Sequence, residues 1–159
     1  MDGAHTIERC EEVTTAALSL VYALLLEHRV ALEGTLLKPN MVLSGKECPN
    51  QADVGRVAEA TVRTLRRVVP SAVPGIVFLS GGQTPEQATG HLSAMNALGS
   101  HPWELSFSYG RALQDPVLKA WKGNPANVAG AQRTFHHRAR CNHVARFGRY
   151  TQEMEETAA

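Results

Sequence analysis

An excess of charge of either sign is nearly absent from this sequence: 16 lysines and arginines face 15 aspartates and glutamates, leaving a net charge of +1. With a pI near 7.8, that balance supplies no electrostatic footprint for nucleic acid or for an anionic membrane. Cysteine is scarce as well. Cys10, Cys48 and Cys141 are 3 in number and widely spaced, which argues against a disulfide framework and suits reduced thiols in a cytoplasmic setting. Long apolar runs are missing too; Leu18 to Leu26 is too short to span a bilayer and lies inside a longer amphipathic pattern. No basic leader precedes it, because Met1-Asp2-Gly3 opens directly into helix-forming sequence, so no signal peptide is expected. What is present is ordinary: 159 residues, 43% hydrophobic and 19% charged, enough for one domain with a core and too short for two.

Periodicity orders the rest. From Thr6 to Glu27 apolar residues recur at Ile7, Cys10, Val13, Ala17, Leu20, Val21 and Leu24, the spacing of a helix with one buried face. Val30 to Leu37 reads as a first strand, on which Gly34, Leu36 and Lys38 share a face and Glu33 takes the other. A polar loop from Asn40 to Gln51 leads to a second helix, capped by Asp53, with a stripe of Val54, Val57, Ala58, Thr61, Val62, Leu65 and Val68 that Pro70 ends. Ile76 to Leu79 is short and continuously apolar, as in a strand buried on both faces. Thr84-Pro85-Glu86-Gln87 then gives an N-cap, a proline at the first helical position and a capping-box glutamine, opening a helix that reaches about Leu98. Trp103 to Ser108 is a third strand, followed by a helix to about Trp121 and a last helix from Asn124-Pro125 to roughly Arg146. The polar tail from Gly148 to Ala159 is expected to be loose, which divides the chain into a domain over 1–147 and a tail over 148–159.

Helices alternating with strands in this way imply an α/β fold with parallel strands joined by crossover helices. Three such strands leave two open edges, so the chain reads as a segment of a larger sheet.

All three strands finish in chemistry at their C-terminal ends. Lys38 closes the first, and Pro39, which cannot donate a ladder hydrogen bond, stops the strand as the ammonium emerges. Free lysine titrates near ~10.4, so an amine nucleophile needs desolvation or a neighbouring cation to be activated. The bland alternative is a lysine whose stem covers the core while its head reaches water. Ser80-Gly81-Gly82 follows the second strand, where glycines let backbone N–H groups approach an anion beside an electropositive helix N-terminus; a simple tight turn is the alternative. Ser108, Gly110 and Arg111 follow the third, with Arg111 either clamping phosphate oxygens or standing solvated at the surface. In α/β barrels this rim is the functional end, and a phosphate site is often built by its last two loops.

Other features have plainer readings. Leu79-Ser80-Gly81-Gly82-Gln83 matches the signature of ABC-transporter ATPases, but it follows a buried strand and no Gly-x-x-x-x-Gly-Lys-Ser/Thr loop accompanies it. His136, His137, Cys141 and His143 have metal-compatible spacing, yet arginines interleave and no carboxylate joins them in sequence, so a solvated helix face is favoured. Trp103 and Trp121 read as core or helix-packing residues.

Leu32 to Val42, with Lys38 in its middle, resembles the Schiff-base segment of class I fructose-bisphosphate aldolases. Phe78-Leu79-Ser80-Gly81-Gly82-Gln83 and Phe107-Ser108-Tyr109-Gly110-Arg111-Ala112-Leu113 resemble two further segments of that family, in the same order and at similar spacing. The resemblance covers only the family's C-terminal half. It implies a partial (β/α)8 TIM barrel holding the last three strands, and a cytoplasmic, usually homotetrameric enzyme of glycolysis and gluconeogenesis with a phosphorylated sugar as substrate. It implies neither metal nor other cofactor, since the chemistry is a covalent imine through Lys38. By resemblance Ser80, Gly81, Gly110 and Arg111 hold a substrate phosphate, with Ser108 beside them. The family's proton-transfer acids, the further lysines that activate the nucleophile, and a terminal tyrosine lie outside the matched residues, so this chain alone is expected to be inactive or weak. The alternatives are a non-catalytic half-barrel that binds sugar phosphates or pairs with another chain, and a Schiff-base enzyme for another carbonyl compound.

Overall fold

The computed structural model describes residues 1–156. Thr6 accepts a hydrogen bond from Arg9 N at 3.4 Å and opens helix α1, Ile7–Glu27. Its buried residues are Ile7, Leu18 and Tyr22, with Cys10, Glu11 and Leu25 half-buried beside them. The expected stripe is therefore corrected by a rotation of the helix: Val13, Leu20, Val21 and Leu24 face outward, Leu20 at 61% exposure. Apolar residues lie nearly all round this helix, so charge chooses the face. Glu8 pairs with Arg56 at 3.1 Å, and Glu11 pairs with Arg63 at 2.7 Å and Arg67 at 3.0 Å, turning that side onto the next helix.

Arg29 takes a left-handed conformation, φ 54°, and the chain reverses. Where a strand over Val30 to Leu37 is expected, Leu32–Gly34 form a 3-10 turn and only Leu36–Leu37 are strand β1. The shortening has a physical reason: β1 has one neighbour, and upstream of Leu36 there is no partner strand to hold the backbone extended. Gly34 and Glu33 consequently have no strand face, and Leu36 stands 63% exposed at the edge.

Asp53 Oδ1 accepts from Arg56 N at 2.8 Å and caps α2, Val54–Val68, whose buried face is Val57, Ala58, Ala60, Thr61, Val62, Thr64 and Leu65. Strand β2, Gly75–Phe78, leads to α3, Pro85–Ala97, opened by the complete Thr84/Gln87 capping box. Then come strand β3, Glu104–Phe107, helix α4, Arg111–Trp121, a 3-10 turn at Pro125–Asn127, helix α5, Val128–Ala145, and a single turn α6, Glu153–Glu156. The sheet has 3 strands in the order β1-β2-β3, parallel throughout, with Leu37 opposite Ile76 and Ile76 opposite Leu105. Its core is Ile76, Phe78, Leu65, Leu92 and Met95, all at 0–2% exposure.

The segment after Lys38 is not the polar loop expected. Met41, Val42, Leu43 and Ser44 are buried, because the chain runs through the core and finds partners there: Val42 N donates to Thr61 Oγ1 at 2.9 Å, and Gly45 N to His5 O at 2.8 Å. Nor does the chain come loose at Gly148. Tyr150 N donates to Ser93 Oγ at 3.1 Å and its hydroxyl to Glu155 at 2.8 Å; residues 157–159 of the expected tail lie outside the described residues. Among the described residues no helix is long and apolar enough to cross a membrane.

Candidate active site

Parallel strands bring their C-terminal ends to one rim, and backbone hydrogen bonds continue past the strands to hold the loops in step. Leu79 N donates to Pro39 O at 3.1 Å, joining the residue after Lys38 to the residue before Ser80. Ser108 N donates to Phe78 O at 2.9 Å, bringing the third loop alongside. Lys38, Ser80 and Ser108 are thus one layer of the same rim.

Lys38 stands between an edge strand and a fully buried anchor. Pro39 and Met41 are buried, and Asn40 Nδ2 donates to Met41 O at 2.9 Å and to Thr14 Oγ1 of α1 at 3.3 Å. The lysine itself is exposed, and among the described residues no carboxylate pairs with it. The backbone at the lysine is thus fixed on both sides while its side chain stays exposed.

The anion cradle is better formed. Ser80 is 7% exposed, and its Oγ accepts from Ala112 N in the first turn of α4 at 3.3 Å. That bond stitches the second loop to the third and leaves the hydroxyl proton free to donate to an anion. Gly81 and Gly82 pass close under Met1; a Cβ on Gly82 would meet Met1 Cβ at 3.0 Å, and its φ of +80° is itself a glycine conformation. Gly110 is the N-cap of α4 and its carbonyl accepts from Leu113 and Gln114, so Arg111, exposed, begins the helix at its electropositive end. Tyr109 anchors this turn from the core side, donating from its hydroxyl to Ala88 O at 2.8 Å, and burial pushes its phenol well above the ordinary value.

Three supporting residues escaped sequence reasoning. Asn40 is one. The others are Gln83 and His91: His91, buried on α3, places Nδ1 2.6 Å from Gln83 Oε1, and burial lowers its imidazole to about 4. Neutral His91 therefore braces the end of the Ser80–Gln83 loop from below. The capping box at Thr84 fixed where α3 begins, but nothing in the sequence pairs residues 83 and 91.

A cleft of about 460 Å³ opens beside the rim, lined by Met1, His5, Arg9, Cys10, Asn40 and Leu79 among others, and neither Lys38 nor Arg111 belongs to its wall. The histidines of α5 are also divided. His136 and His143 are exposed as expected, whereas Cys141 is buried and His137 half-buried, because Glu155 folds back onto them. The absence of a carboxylate is thus corrected by a residue 18 positions away in sequence. Trp103 is a core residue whose Nε1 donates to Pro70 O at 3.0 Å, while Trp121 is 42% exposed at the end of α4.

The family model for class-I fructose-bisphosphate aldolase matches residues 1–159. Fructose-bisphosphate aldolase of Dictyostelium discoideum is 54% identical over 159 residues, which is 100% of this chain and 44% of that protein. Fructose-bisphosphate aldolase 1 of Toxoplasma gondii is 54% identical over 149 residues, 94% of this chain and 41% of its own length. A crystal structure of the Plasmodium falciparum aldolase in complex with TRAP and a small-molecule inhibitor superposes with a TM-score of 0.92 at 53% identity, covering 94% of this chain and 43% of that one. The chain therefore spans less than half the length of these relatives. On the whole-length family match and on this identity, it belongs to the class-I fructose-bisphosphate aldolases.

Proposed function

We propose that this chain carries the imine-forming lysine and the phosphate-binding half of a Schiff-base aldolase that cleaves fructose 1,6-bisphosphate to dihydroxyacetone phosphate and glyceraldehyde 3-phosphate. The observation that supports it is the alignment of Lys38, Ser80-Gly81 and Gly110-Arg111 along one rim, cross-linked by the bond from Ala112 N to Ser80 Oγ. In this reading β1, β2 and β3 are the last three strands of an eight-stranded (β/α) barrel. Ser80 O–H, the Gly81 and Arg111 backbone N–H groups and the Arg111 guanidinium receive a substrate phosphate, with Ser108 alongside. That fixes the ketone of the substrate against Lys38.

The amine attacks the carbonyl carbon, water leaves, and the protonated imine draws electrons from the bond between the third and fourth carbons. Cleavage releases the aldehyde and leaves an enamine, which is protonated and hydrolysed to return the free amine. No metal is needed, because the imine is the electron sink. Each of these steps moves a proton, and positioned acid–base help is worth ~10²–10⁴-fold. The carboxylates and lysines with which the family does this lie outside the residues matched here. The 159-residue chain alone is therefore expected to cleave fructose 1,6-bisphosphate at no more than a small fraction of an ordinary aldolase rate. A coupled assay of the purified chain tests this, and turnover at an ordinary aldolase rate would overturn it.

A second reading is favoured by the exposed edge: Leu36 at 63% and Leu20 at 61% exposure suit a chain that completes its sheet and its α1 layer against another polypeptide. Homo-oligomerisation and a cytoplasmic location belong with the aldolase reading and rest on the family alone.

A further inference from the structure

His137 and Cys141 lie one turn apart on α5, with Nε2 and Sγ 3.6 Å from each other. In a tetrahedral zinc site, with Zn–N of ~2.0–2.1 Å and Zn–S of ~2.3 Å, the N···S edge is ~3.6 Å. Glu155 brings a third donor, Oε2, to 2.8 Å from His137 Nε2, and the three ligand atoms all lie within 4.8 Å of one another. Among the described residues no other trio of His, Cys, Asp or Glu converges in this way.

We propose that His137, Cys141 and Glu155 form a structural site for a divalent cation of the zinc class, which fastens the segment after α5 onto that helix. The donors are chemically suited to it: an imidazole, a thiol and a carboxylate are the ordinary zinc ligand set. The His137–Cys141 edge already fits, whereas a metal opens the His137–Glu155 separation from a hydrogen bond to the ~3.3 Å of a tetrahedral N···O pair and sets the Cys141–Glu155 edge, now within 4.8 Å, to ~3.6 Å. His137 binds through Nε2 as the neutral imidazole with its proton on Nδ1, and Cys141 binds as thiolate, releasing its proton to water. His137 and Glu155 keep 18% and 15% of their side-chain surface exposed, the side from which a water would complete the fourth position.

Arg138 sets the main opposing force, and its placement makes it a supporting residue. Its guanidinium donates to both Glu155 oxygens, to Oε2 at 2.6 Å, and the Tyr150 hydroxyl donates to Oε1 at 2.8 Å, so Oε2 is shared between Arg138 and His137 and a cation takes its His137 side. Carboxylates that bind zinc are commonly oriented by such outer partners. Cys10 and Cys48 differ in kind. Cys48 Sγ donates to Asn50 O at 3.4 Å, and Cys10 lies among Thr14, Asn40 and Leu43 N; among the described residues neither belongs to a convergent trio of ligand atoms. The site rests on neither Lys38 nor the aldolase reaction.

The test uses the full chain, stripped by chelator under reducing conditions and titrated with Co²⁺ alone. A thiolate-to-cobalt charge-transfer band together with intense tetrahedral ligand-field bands, saturating at one equivalent and erased by Zn²⁺, is expected. Cys141→Ser loses the charge-transfer band, whereas the double variant Cys10→Ser/Cys48→Ser keeps it. His137→Gln and Glu155→Gln, with folds checked by circular dichroism, each weaken binding by at least ~10-fold. Pale octahedral cobalt at saturation, a charge-transfer band that survives Cys141→Ser, or affinity unchanged in both His137→Gln and Glu155→Gln overturns the proposal.

Discussion

Replacing Glu155 with alanine strands a guanidinium inside the protein. Arg138 is 3% exposed on its side chain, bonded to Glu155, to Thr89 Oγ1 at 2.6 Å and to Pro85 O at 3.2 Å. Its Nε has no partner among the described residues, so little else there compensates the charge once the carboxylate is gone. Removing one member of a buried pair costs ~3–5 kcal/mol, and the two remaining acceptors place Glu155→Ala at the low end, about 3 kcal/mol. With m of ~1–3 kcal/mol/M in urea, the midpoint falls by ~1–3 M. Arg138→Met costs less, about 1 kcal/mol, because Glu155, on the single turn α6 and 15% exposed against 3% for Arg138, can turn into water instead of being trapped. Urea titration followed by circular dichroism measures both. A cost under ~1 kcal/mol for Glu155→Ala, or a larger cost for Arg138→Met than for Glu155→Ala, contradicts a stranded guanidinium. A pH dependence accompanies it. Burial raises the Glu155 carboxyl, but hydrogen bonds from Arg138, His137 and Tyr150 outweigh that and hold it below the ordinary value. A depressed carboxyl stabilises the fold above its unfolded value of ~4.3, and that contribution is lost as pH falls through the folded value; Glu155→Ala flattens this part of the curve.

His91 makes the converse test. Its imidazole is lowered to about 4 by burial, so between ~6.5 and that value the unfolded chain binds a proton the folded chain refuses. Stability therefore falls on acidification through this window, by up to ~1.4 kcal/mol per pH unit, and a pH series of urea midpoints for His91→Gln loses that slope. Ser80→Ala removes the acceptor of the buried Ala112 N–H and is expected to cost ~1–2 kcal/mol of stability, and to weaken dihydroxyacetone phosphate binding by ~10-fold or more in calorimetry, with Ser80→Thr recovering much of both. Thr61→Val, which leaves Val42 N unpaired at 0–1% exposure, costs ~1–3 kcal/mol in the same urea titration. A Thr61→Val chain as stable as the parent contradicts the anchoring of the Lys38 loop.

The three strands and their parallel order were legible because β2 and β3 are short apolar runs between strong helix signals, and the capping box at Thr84–Gln87 is a local device with one solution. The rim was legible for the same reason: strand ends in an alternating pattern share one side whatever the details. What was not legible depends on partners remote in sequence. The face of α1 is chosen by Arg56, Arg63 and Arg67 on α2, which a period of three and four residues in α1 cannot reveal. Residues 30–35 have strand-like composition but no neighbouring strand upstream of Leu36, and without a ladder they turn. Met41 to Gly45 look like loop and are buried, because Thr61 and His5 accept from the Val42 and Gly45 amides. Glu155 reaches His137 and Arg138 only once α5 has folded under it.

Lys38 on this rim is proposed as an imine-forming amine served by the Ser80 and Arg111 phosphate cradle. The most direct measurement is borohydride trapping of the folded chain with dihydroxyacetone phosphate, read by intact and peptide mass spectrometry. A single reduced adduct on the peptide containing Lys38, absent in Lys38→Arg and diminished in Arg111→Ala, is the predicted result. No adduct on a chain shown to be folded, or equal labelling of Lys38, Lys46 and Lys119, would contradict it.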